Sequence, residues 1–100
     1  MQFKIELTRS AADQVRSYRK FDQQIVLAGI RQQLTHDAAT ESRNRKRLGE
    51  NELSDWELRV ERFRVFYDVL IEEHRQVVKI KAVGHKEHDT LYVSGKKVQL

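Results

Sequence analysis

The 100-residue sequence contains no cysteine, no proline and only four glycines. Without cysteine, the chain cannot form a disulfide framework, a zinc site with thiolate ligands or a cysteine nucleophile. Without proline, no helix or strand is interrupted by a residue that lacks a backbone donor. The longest apolar run, at residues 25–30, is far too short to span a bilayer, and no secretory signal pattern opens the chain. These absences predict a cytoplasmic protein that does not act in a membrane.

The length and the composition predict one small domain over residues 1–100. Hydrophobic residues make up 39% of the chain and charged residues 34%. This balance is too apolar for a disordered chain and predicts a highly ionic surface. A domain of this size buries about 60 to 70% of the surface that its unfolded chain exposes, so its core is modest.

The net charge of +4 is concentrated in one segment. Four basic residues against Glu50 give +3 within residues 42–50. The four are Arg43, Arg45, Lys46 and Arg47. A local cluster of this kind indicates either a binding site for an anion or a solvated loop.

Hydrophobic periodicity predicts the first three elements of the fold. Alternation over residues 3–7 predicts a half-buried strand. Helical spacing predicts a helix over residues 11–19, with Ser10 in the capping position before it. A second helix is predicted over residues 23–36 with Asp22 as its N-cap. The polar segment 37–55 shows no period, and a connection this long in a small domain is usually functional or mobile.

The second predicted helix carries two apolar stripes, so it must contact more than one neighbour. One stripe comprises Phe21, Ile25 and Ala28, and the other comprises Val26, Leu27, Ile30 and Leu34. Both stripes can pack within the domain, against the sheet and the first helix. Alternatively, one stripe also receives a protein partner.

The second half of the chain alternates with the period of β-strands. Strands are predicted at 56–60, at 63–69 and around 78–82, where Val78, Ile80 and Ala82 alternate with Lys79 and Lys81. A turn is predicted at residues 72–74, and residues 91–93 are a candidate for a short last strand. The predicted fold is α+β, in the order β-α-α-β-β-β, with two helices packed on one face of a mostly antiparallel sheet.

A two-residue turn at Glu61–Arg62 would place Arg59 directly opposite Arg64. The core-facing side chains of the two strands would then be Trp56, Leu58, Val60, Phe63, Val65 and Tyr67. Two like charges opposite each other are destabilising, yet two guanidinium groups aimed at one point suit a phosphate. Lys79 and Lys81 share this outward face, whereas Glu57 and Asp68 could pair with the cations in an ordinary surface network. The pattern by itself leaves both interpretations open.

Other candidate groups lie near the C-terminal end of the chain. His85 is the kind of residue that can move a proton near neutral pH. His85 and His88 have a spacing seen in metal sites, but a third ligand has no defined spacing, so neither a metal nor another cofactor is predicted. Tyr92 lies between Leu91 and Val93 and is predicted to point outward.

Several segments, in this order and at these spacings, resemble the RelE/ParE superfamily of type II toxin–antitoxin toxins. They are SRNRKRL at 42–48, WELRV at 56–60, RFRVFYDV at 62–69, AVGHKE at 82–87 and LYVSGKKV at 91–98. For RelE-like members the resemblance implies a small α+β domain that cleaves mRNA on the ribosome without a metal. In that reaction the 2′-hydroxyl attacks the adjacent phosphate, and a 2′,3′-cyclic phosphate results.

The resemblance also implies roles for individual residues. The implied catalytic set is Arg59, Arg64, Lys86 and Tyr92, with His85 as a further candidate for proton transfer. The expected RNA-binding residues are Arg43, Arg45, Lys46, Arg47, Lys79 and Lys81. Glu57 departs from the pattern, because RelE itself has a lysine at that place, and a role for this carboxylate in acid–base chemistry is the corresponding hypothesis.

The implied partners are a cognate antitoxin protein, mRNA and the ribosome, with operator DNA contacted only through the antitoxin. Two alternatives belong to other functional classes. A ParE-like toxin inhibits DNA gyrase without cleaving RNA, and a catalytically silent member only binds its antitoxin. The joint presence of the basic residues and Tyr92 favours the ribonuclease.

Overall fold

The computed structural model of the chain describes residues 2–100, which form two helices and seven strands. In chain order these are β1 (Lys4–Leu7), α1 (Arg9–Arg16), α2 (Lys20–Leu34), β2 (Arg45–Arg47), β3 (Trp56–Val60), β4 (Phe63–Glu72), β5 (Arg75–Glu87), β6 (Thr90–Val93) and β7 (Lys96–Val98). The predicted α+β class and the predicted order of elements are confirmed. The short strands β2 and β7 were not predicted, since three residues are too few to show a period.

The strands form one mostly antiparallel sheet. Their order is β2-β3-β4-β5-β6-β7, and β1 pairs in parallel with β5. The long strand β5 pairs with β1 through residues 77–80 and with β6 through residues 84–87. This strand therefore joins the N-terminal part of the chain to the C-terminal hairpin.

The main core lies between the helices and one face of the sheet, here called the inner face. Side chains from α1 and α2 pack there against side chains from β3, β4 and β5. The fully buried members include Val26, Leu34, Leu58, Val65, Tyr67 and Ile80. The predicted burial of Trp56, Leu58, Phe63, Val65 and Tyr67 is confirmed, and each such side chain contributes about 1.5–3 kcal/mol by leaving water.

A β-bulge between β4 and β5 changes the face on which later residues lie. Phe66 pairs with Ala82 while Tyr67 pairs with Ile80, so Lys81 is the extra residue. The prediction that Ala82 follows Ile80 onto the core face is therefore wrong. Ala82 lies instead with Phe66 on the opposite face of the sheet, here called the outer face.

The outer face carries a second, smaller apolar cluster. Its buried members are Phe66, Ala82, Leu91 and Val93, and Leu48, Leu53 and Val98 pack against them. Two of the covering side chains come from the connection between α2 and β3. This connection thus covers part of the outer face, and it also contains β2.

Both predicted helix starts are wrong. The Thr8 side chain accepts a hydrogen bond from the backbone N–H of Ala11 at 3.1 Å, so Thr8 and not Ser10 caps α1. The second helix begins at Lys20, and Asp22 lies buried in its first turn. Both helices also end earlier than the predicted residues 19 and 36.

Candidate functional site

The β3–β4 hairpin places two arginines opposite each other on the outer face. The observed register pairs Arg59 with Arg64 and Val60 with Phe63, as the two-residue turn predicts. Glu61 adopts a φ of 54° in that turn, a conformation that residues other than glycine rarely take. The hairpin thus confirms the predicted register despite the lack of an Asn-Gly sequence.

The two guanidinium groups have different surroundings. Arg59 Nε lies 3.4 Å from a carboxylate oxygen of Glu57. Arg64 Nη1 donates to the backbone carbonyl oxygens of Glu61 at 2.8 Å and Phe63 at 2.9 Å. Arg64 is therefore held against the end of the hairpin, whereas the Arg59 side chain extends further into solvent.

The charged guanidinium group of Arg64 is partly desolvated. Burial lowers the pKa of the Arg64 guanidinium below its ordinary value, Glu57 opposes that fall and the like charge of Arg59 adds to it. Within residues 2–100, Arg64 Nε is buried and has no hydrogen-bond partner. Buried donors in folded proteins are nearly always paired, so this unpaired donor is unusual, and an anion from solvent would contact the exposed part of the guanidinium rather than this closed atom.

Glu57 lies beside the arginines and is 7% exposed. It shares the outer face with Phe66, its partner in the register. With Lys86, Asp89 and Leu91 it lines an open depression of about 410 Å³, and residues 98–100 form another wall. The residue at which the sequence departs from the pattern expected from the resemblance is thus the nearly buried acid of the outer face.

Lys86 belongs to the same face as the arginine pair. Arg64 pairs with Gly84, and Lys86 follows Gly84 by two residues along β5, so both side chains project to one side. The backbone N–H of Lys86 donates to the Arg62 carbonyl oxygen at 2.8 Å, which ties this part of β5 to the hairpin turn. Arg59, Arg64 and Lys86 therefore share one surface with Glu57.

His85 and Tyr92 lie on the other side of the sheet. His85 pairs with Phe63 and with Tyr92, and the His85 and Tyr92 rings stack at 5.7 Å between centroids. Phe63 belongs to the main core, so these rings lie on the inner face, and the half-buried Tyr92 points away from the buried side chains of Leu91 and Val93. The five residues of the implied catalytic set are thus divided between two faces.

Tyr18 completes the inner-face arrangement. Its helical spacing from Ala11 and Val15 carries no signal of a contact with His85. The Tyr18 hydroxyl lies 2.7 Å from His85 Nδ1, and His85 Nε2 lies 3.3 Å from a carboxylate oxygen of Glu87. Burial raises the pKa of Tyr18, Arg62 lowers it, and Asp22 and Glu87 raise it. The net rise keeps the phenol protonated at neutral pH. The Tyr18 hydroxyl and His85 Nδ1 therefore share one hydrogen bond, and the tautomer of His85 decides which of the two donates.

The basic side chains of residues 43–47 lie in different surroundings and do not form one cluster. Arg45 is 9% exposed and donates to Gln33 Oε1 at 2.6 Å and to the Thr40 carbonyl oxygen at 2.9 Å, so it ties the connection to α2. The Arg47 guanidinium lies 5.7 Å from the centroid of the Trp56 ring. Lys46 pairs with Glu57 in the register and so faces the outer surface, while Arg43 is exposed before β2.

The remaining predicted RNA-binding residues lie near an acid. Lys79 pairs with Asp68 in the register, and Lys81 Nζ is 4.0 Å from a carboxylate oxygen of Asp68. Asp68 also accepts from the backbone N–H of Asp55 at 2.8 Å. The carboxylate of Asp68 therefore offsets part of the positive charge here, as Glu57 does at the arginine pair.

Residues 2–100 contain no group of three or more His, Asp or Glu side chains placed to hold a metal ion. Neither α1 nor α2, as described, is long and apolar enough to cross a membrane.

Comparison with known proteins supplies the family. A family model described as the ParE toxin of the type II toxin–antitoxin system parDE matches residues 5–90. No curated protein matches the chain. Since the match spans β1 to the start of β6, it includes both helices and the hairpin that carries the arginine pair. The chain belongs to the ParE toxin family of type II toxin–antitoxin systems, within the RelE/ParE superfamily.

Proposed function

We propose that this toxin cleaves mRNA at the outer face of its sheet and thereby inhibits translation. One observation carries the proposal: Arg59, Arg64 and Lys86 share a surface with Glu57, an almost fully buried carboxylate. Paired arginines offer the forked donors that bind a phosphate, and an adjacent acid can accept a proton from a hydroxyl. The proposed partners are mRNA on the ribosome and the cognate antitoxin that the family implies. Operator DNA would be contacted only through the antitoxin.

The proposed reaction needs no group beyond these side chains. Glu57 accepts the proton of the RNA 2′-hydroxyl as its oxygen bonds to the adjacent phosphorus. Arg59 and Arg64 bind the non-bridging oxygens, whose negative charge grows in the transition state. The bond from phosphorus to the 5′-oxygen then breaks, and Lys86 donates a proton to that oxygen. The products are a 2′,3′-cyclic phosphate and a free 5′-hydroxyl.

The proposal assigns no chemical step to Tyr92 or His85. Both rings lie on the inner face, where His85 is occupied by Tyr18 and Glu87. We propose that their packing on the inner face holds β5 in position next to Lys86. This assignment differs from the set implied by the resemblance, and variants of Tyr92 can test it.

The direct test is expression of the toxin alone, followed by mapping of cut sites in cellular mRNA by primer extension. Glu57→Gln keeps the shape of the side chain but removes its basicity, and we expect cleavage to fall by about 10²- to 10⁴-fold. Glu52→Gln, at an exposed position of the connection before β3, is the matched control. If Glu57→Gln cuts like the parent toxin, Glu57 is not the base.

A second candidate function is inhibition of DNA gyrase without RNA cleavage. Two observations favour it: the matching family model is that of the ParE toxin, and the implied catalytic set is divided between the two faces. Supercoiling of a relaxed plasmid by purified gyrase distinguishes the candidates. Inhibition of gyrase together with intact mRNA would replace the ribonuclease proposal.

A further inference from the structure

The junction between α1 and α2 exposes several cations and an aromatic ring. Residues 16–21 read RSYRKF. The Arg19 side chain is 80% exposed, Lys20 is exposed, and Phe21 is 66% exposed at the start of α2. A phenylalanine that is two-thirds exposed gains little of the free energy that burial of its ring would provide. A binding partner that covers the ring would supply that free energy.

A buried acid organises the arginines of this junction. The Asp22 side chain is 8% exposed, and its Oδ2 atom lies 3.4 Å from Arg19 Nε and 3.3 Å from Arg62 Nη2. The Arg62 guanidinium also lies 4.5 Å from the centroid of the Phe63 ring, within the range of a cation–π interaction. One carboxylate therefore orients two guanidinium groups, and most of their donors remain available for another acceptor.

The junction is continuous with the arginine pair of the outer face. Arg62 lies in the turn of the β3–β4 hairpin, between Arg59 and Arg64 in the sequence. Its side chain reaches α2 through Asp22, whereas its two neighbours project from the outer face. Positively charged side chains thus line the end of the hairpin. They extend from Arg59 and Arg64, past Arg62, to Arg19. We call this surface, with Lys20 and Phe21 included, the cationic strip.

We propose that the cationic strip binds single-stranded RNA, with phosphates on Arg19 and Arg62 and a base stacked on Phe21. The inference rests on the proposed function, since it extends the path of the substrate away from the outer face. Single-stranded nucleic acids are bound by grooves and stripes of basic residues in which aromatic rings stack on bases. Among the described residues, the other exposed large apolar side chains are Leu70, Ile71 and Leu100, in the far half of β4 and at the C-terminal end. Phe21 shares its helix face with Ile25 and Ala28, but these two are only partly exposed and Ile25 packs against the main core, so Phe21 is the one widely exposed side chain of that stripe.

The test measures binding by fluorescence anisotropy with a labelled single-stranded RNA of about 12 nucleotides. The probe carries 2′-O-methyl groups, so it lacks the nucleophile of the proposed reaction and stays intact. We expect Phe21→Ala to weaken binding by about 5- to 100-fold, the usual loss when a stacking ring is removed. Ile71→Ala removes an equally exposed apolar side chain at the far end of the hairpin and should leave binding unchanged.

The charge component has its own readout and control. Arg19→Gln should reduce the slope of log affinity against log salt concentration by about 0.7, the value for one phosphate contact on a single strand. Arg75→Gln is the matched control, because Arg75 is also an exposed arginine paired with nearby acids. Equal slopes for the two variants would contradict a phosphate contact at Arg19.

The outcomes separate this inference from the proposed cleavage. If Phe21 and Arg19 variants weaken binding of the methylated probe while unmodified RNA is never cut, the strip is confirmed and the ribonuclease proposal fails. If RNA is cut normally but binding does not depend on Phe21, the strip proposal is wrong. It is equally wrong if the variants bind RNA like the parent and lose only the cognate antitoxin, which would make the junction a protein interface.

Discussion

The two faces of the β3–β4 hairpin are built from alternating residues of the same strands, yet they differ in how completely their polar groups are paired. On the inner face, Tyr67 is fully buried and its hydroxyl donates to the Ala38 carbonyl oxygen at 2.8 Å. On the outer face, Arg59 and Arg64 place like charges opposite each other, and Arg64 Nε is buried without a partner among the described residues. The buried Tyr67 hydroxyl of the inner face is thus paired within the fold, whereas the outer face keeps two opposed cations and one unpaired donor.

The largest expected effect lies on the inner face. Tyr67→Ala removes a fully buried ring, and we expect the free energy of unfolding to fall by about 3–5 kcal/mol. Urea denaturation followed by circular dichroism measures this loss. A change below 1 kcal/mol, on the order of a surface substitution, would contradict the structural role of this face.

The next effect should appear in activity, on the outer face. Arg64→Ala removes a positioned donor to the scissile phosphate, and mRNA cleavage should fall by about 10²- to 10³-fold, or about 2.7–4 kcal/mol. Some loss of stability is also expected, since Arg64 Nη1 donates to two carbonyl oxygens of the turn. Arg31→Ala, an exposed arginine in the last turn of α2, serves as control for loss of charge alone. A folded Arg64→Ala variant that cuts like Arg31→Ala would remove the outer face from the chemistry.

Gly84 lies in β5 between two neighbouring strands, because it pairs with Arg64 of β4 and with Val93 of β6. A side chain here would clash with the backbone carbonyl oxygen of Tyr92, which cannot move without distorting β6. Gly84→Ala should therefore lower the free energy of unfolding by about 1–3 kcal/mol. Gly49→Ala meets open space among the described residues and should change stability little. Equal melting temperatures for the two variants would show that β6 does not pack as described.

The inner face also predicts a dependence on alkaline pH. Burial raises the pKa of both Tyr18 and Tyr67 above the ordinary value of 10.0. The folded state then holds these protons more tightly than the unfolded state, so their contribution is complete below pH 10 and is lost as the pH rises further. The free energy of unfolding should fall above pH 10 by up to about 1.4 kcal/mol per pH unit for each group. In urea titrations at several pH values, Tyr67→Phe should reduce this slope, and an unchanged slope would refute the assignment.

The sequence predicted the packing of the hairpin well because alternation carries that information directly. Trp56 and Val65 had to face the helices once the period was known, and the pairing of Arg59 with Arg64 followed from a two-residue turn. The division of the site could not be predicted in the same way. His85 and Lys86 are neighbours in a strand and so project to opposite faces, but only the register of β5 with β4, shifted by the bulge at Lys81, shows which of them lies on the face of the arginine pair.

Two other errors have local physical causes. Ala82 changed face because the bulge at Lys81 adds one residue, and no glycine or proline marks that bulge in the sequence. Asp22 has the chemistry of an N-cap, but its carboxylate instead pairs with Arg62, which lies forty residues away in the chain. A long-range ion pair of this kind leaves no periodic signal, so the exact start of α2 could not be read from the sequence.

The most direct test of the account compares Lys86→Ala with Tyr92→Phe in the mRNA cleavage assay, at equal protein levels and in the absence of antitoxin. Both residues belong to the set implied by the resemblance, but they lie on opposite faces of the sheet. If the outer face performs the chemistry, Lys86→Ala loses most cleavage and Tyr92→Phe keeps it. Abolished cleavage in Tyr92→Phe together with normal cleavage in Lys86→Ala would contradict the account.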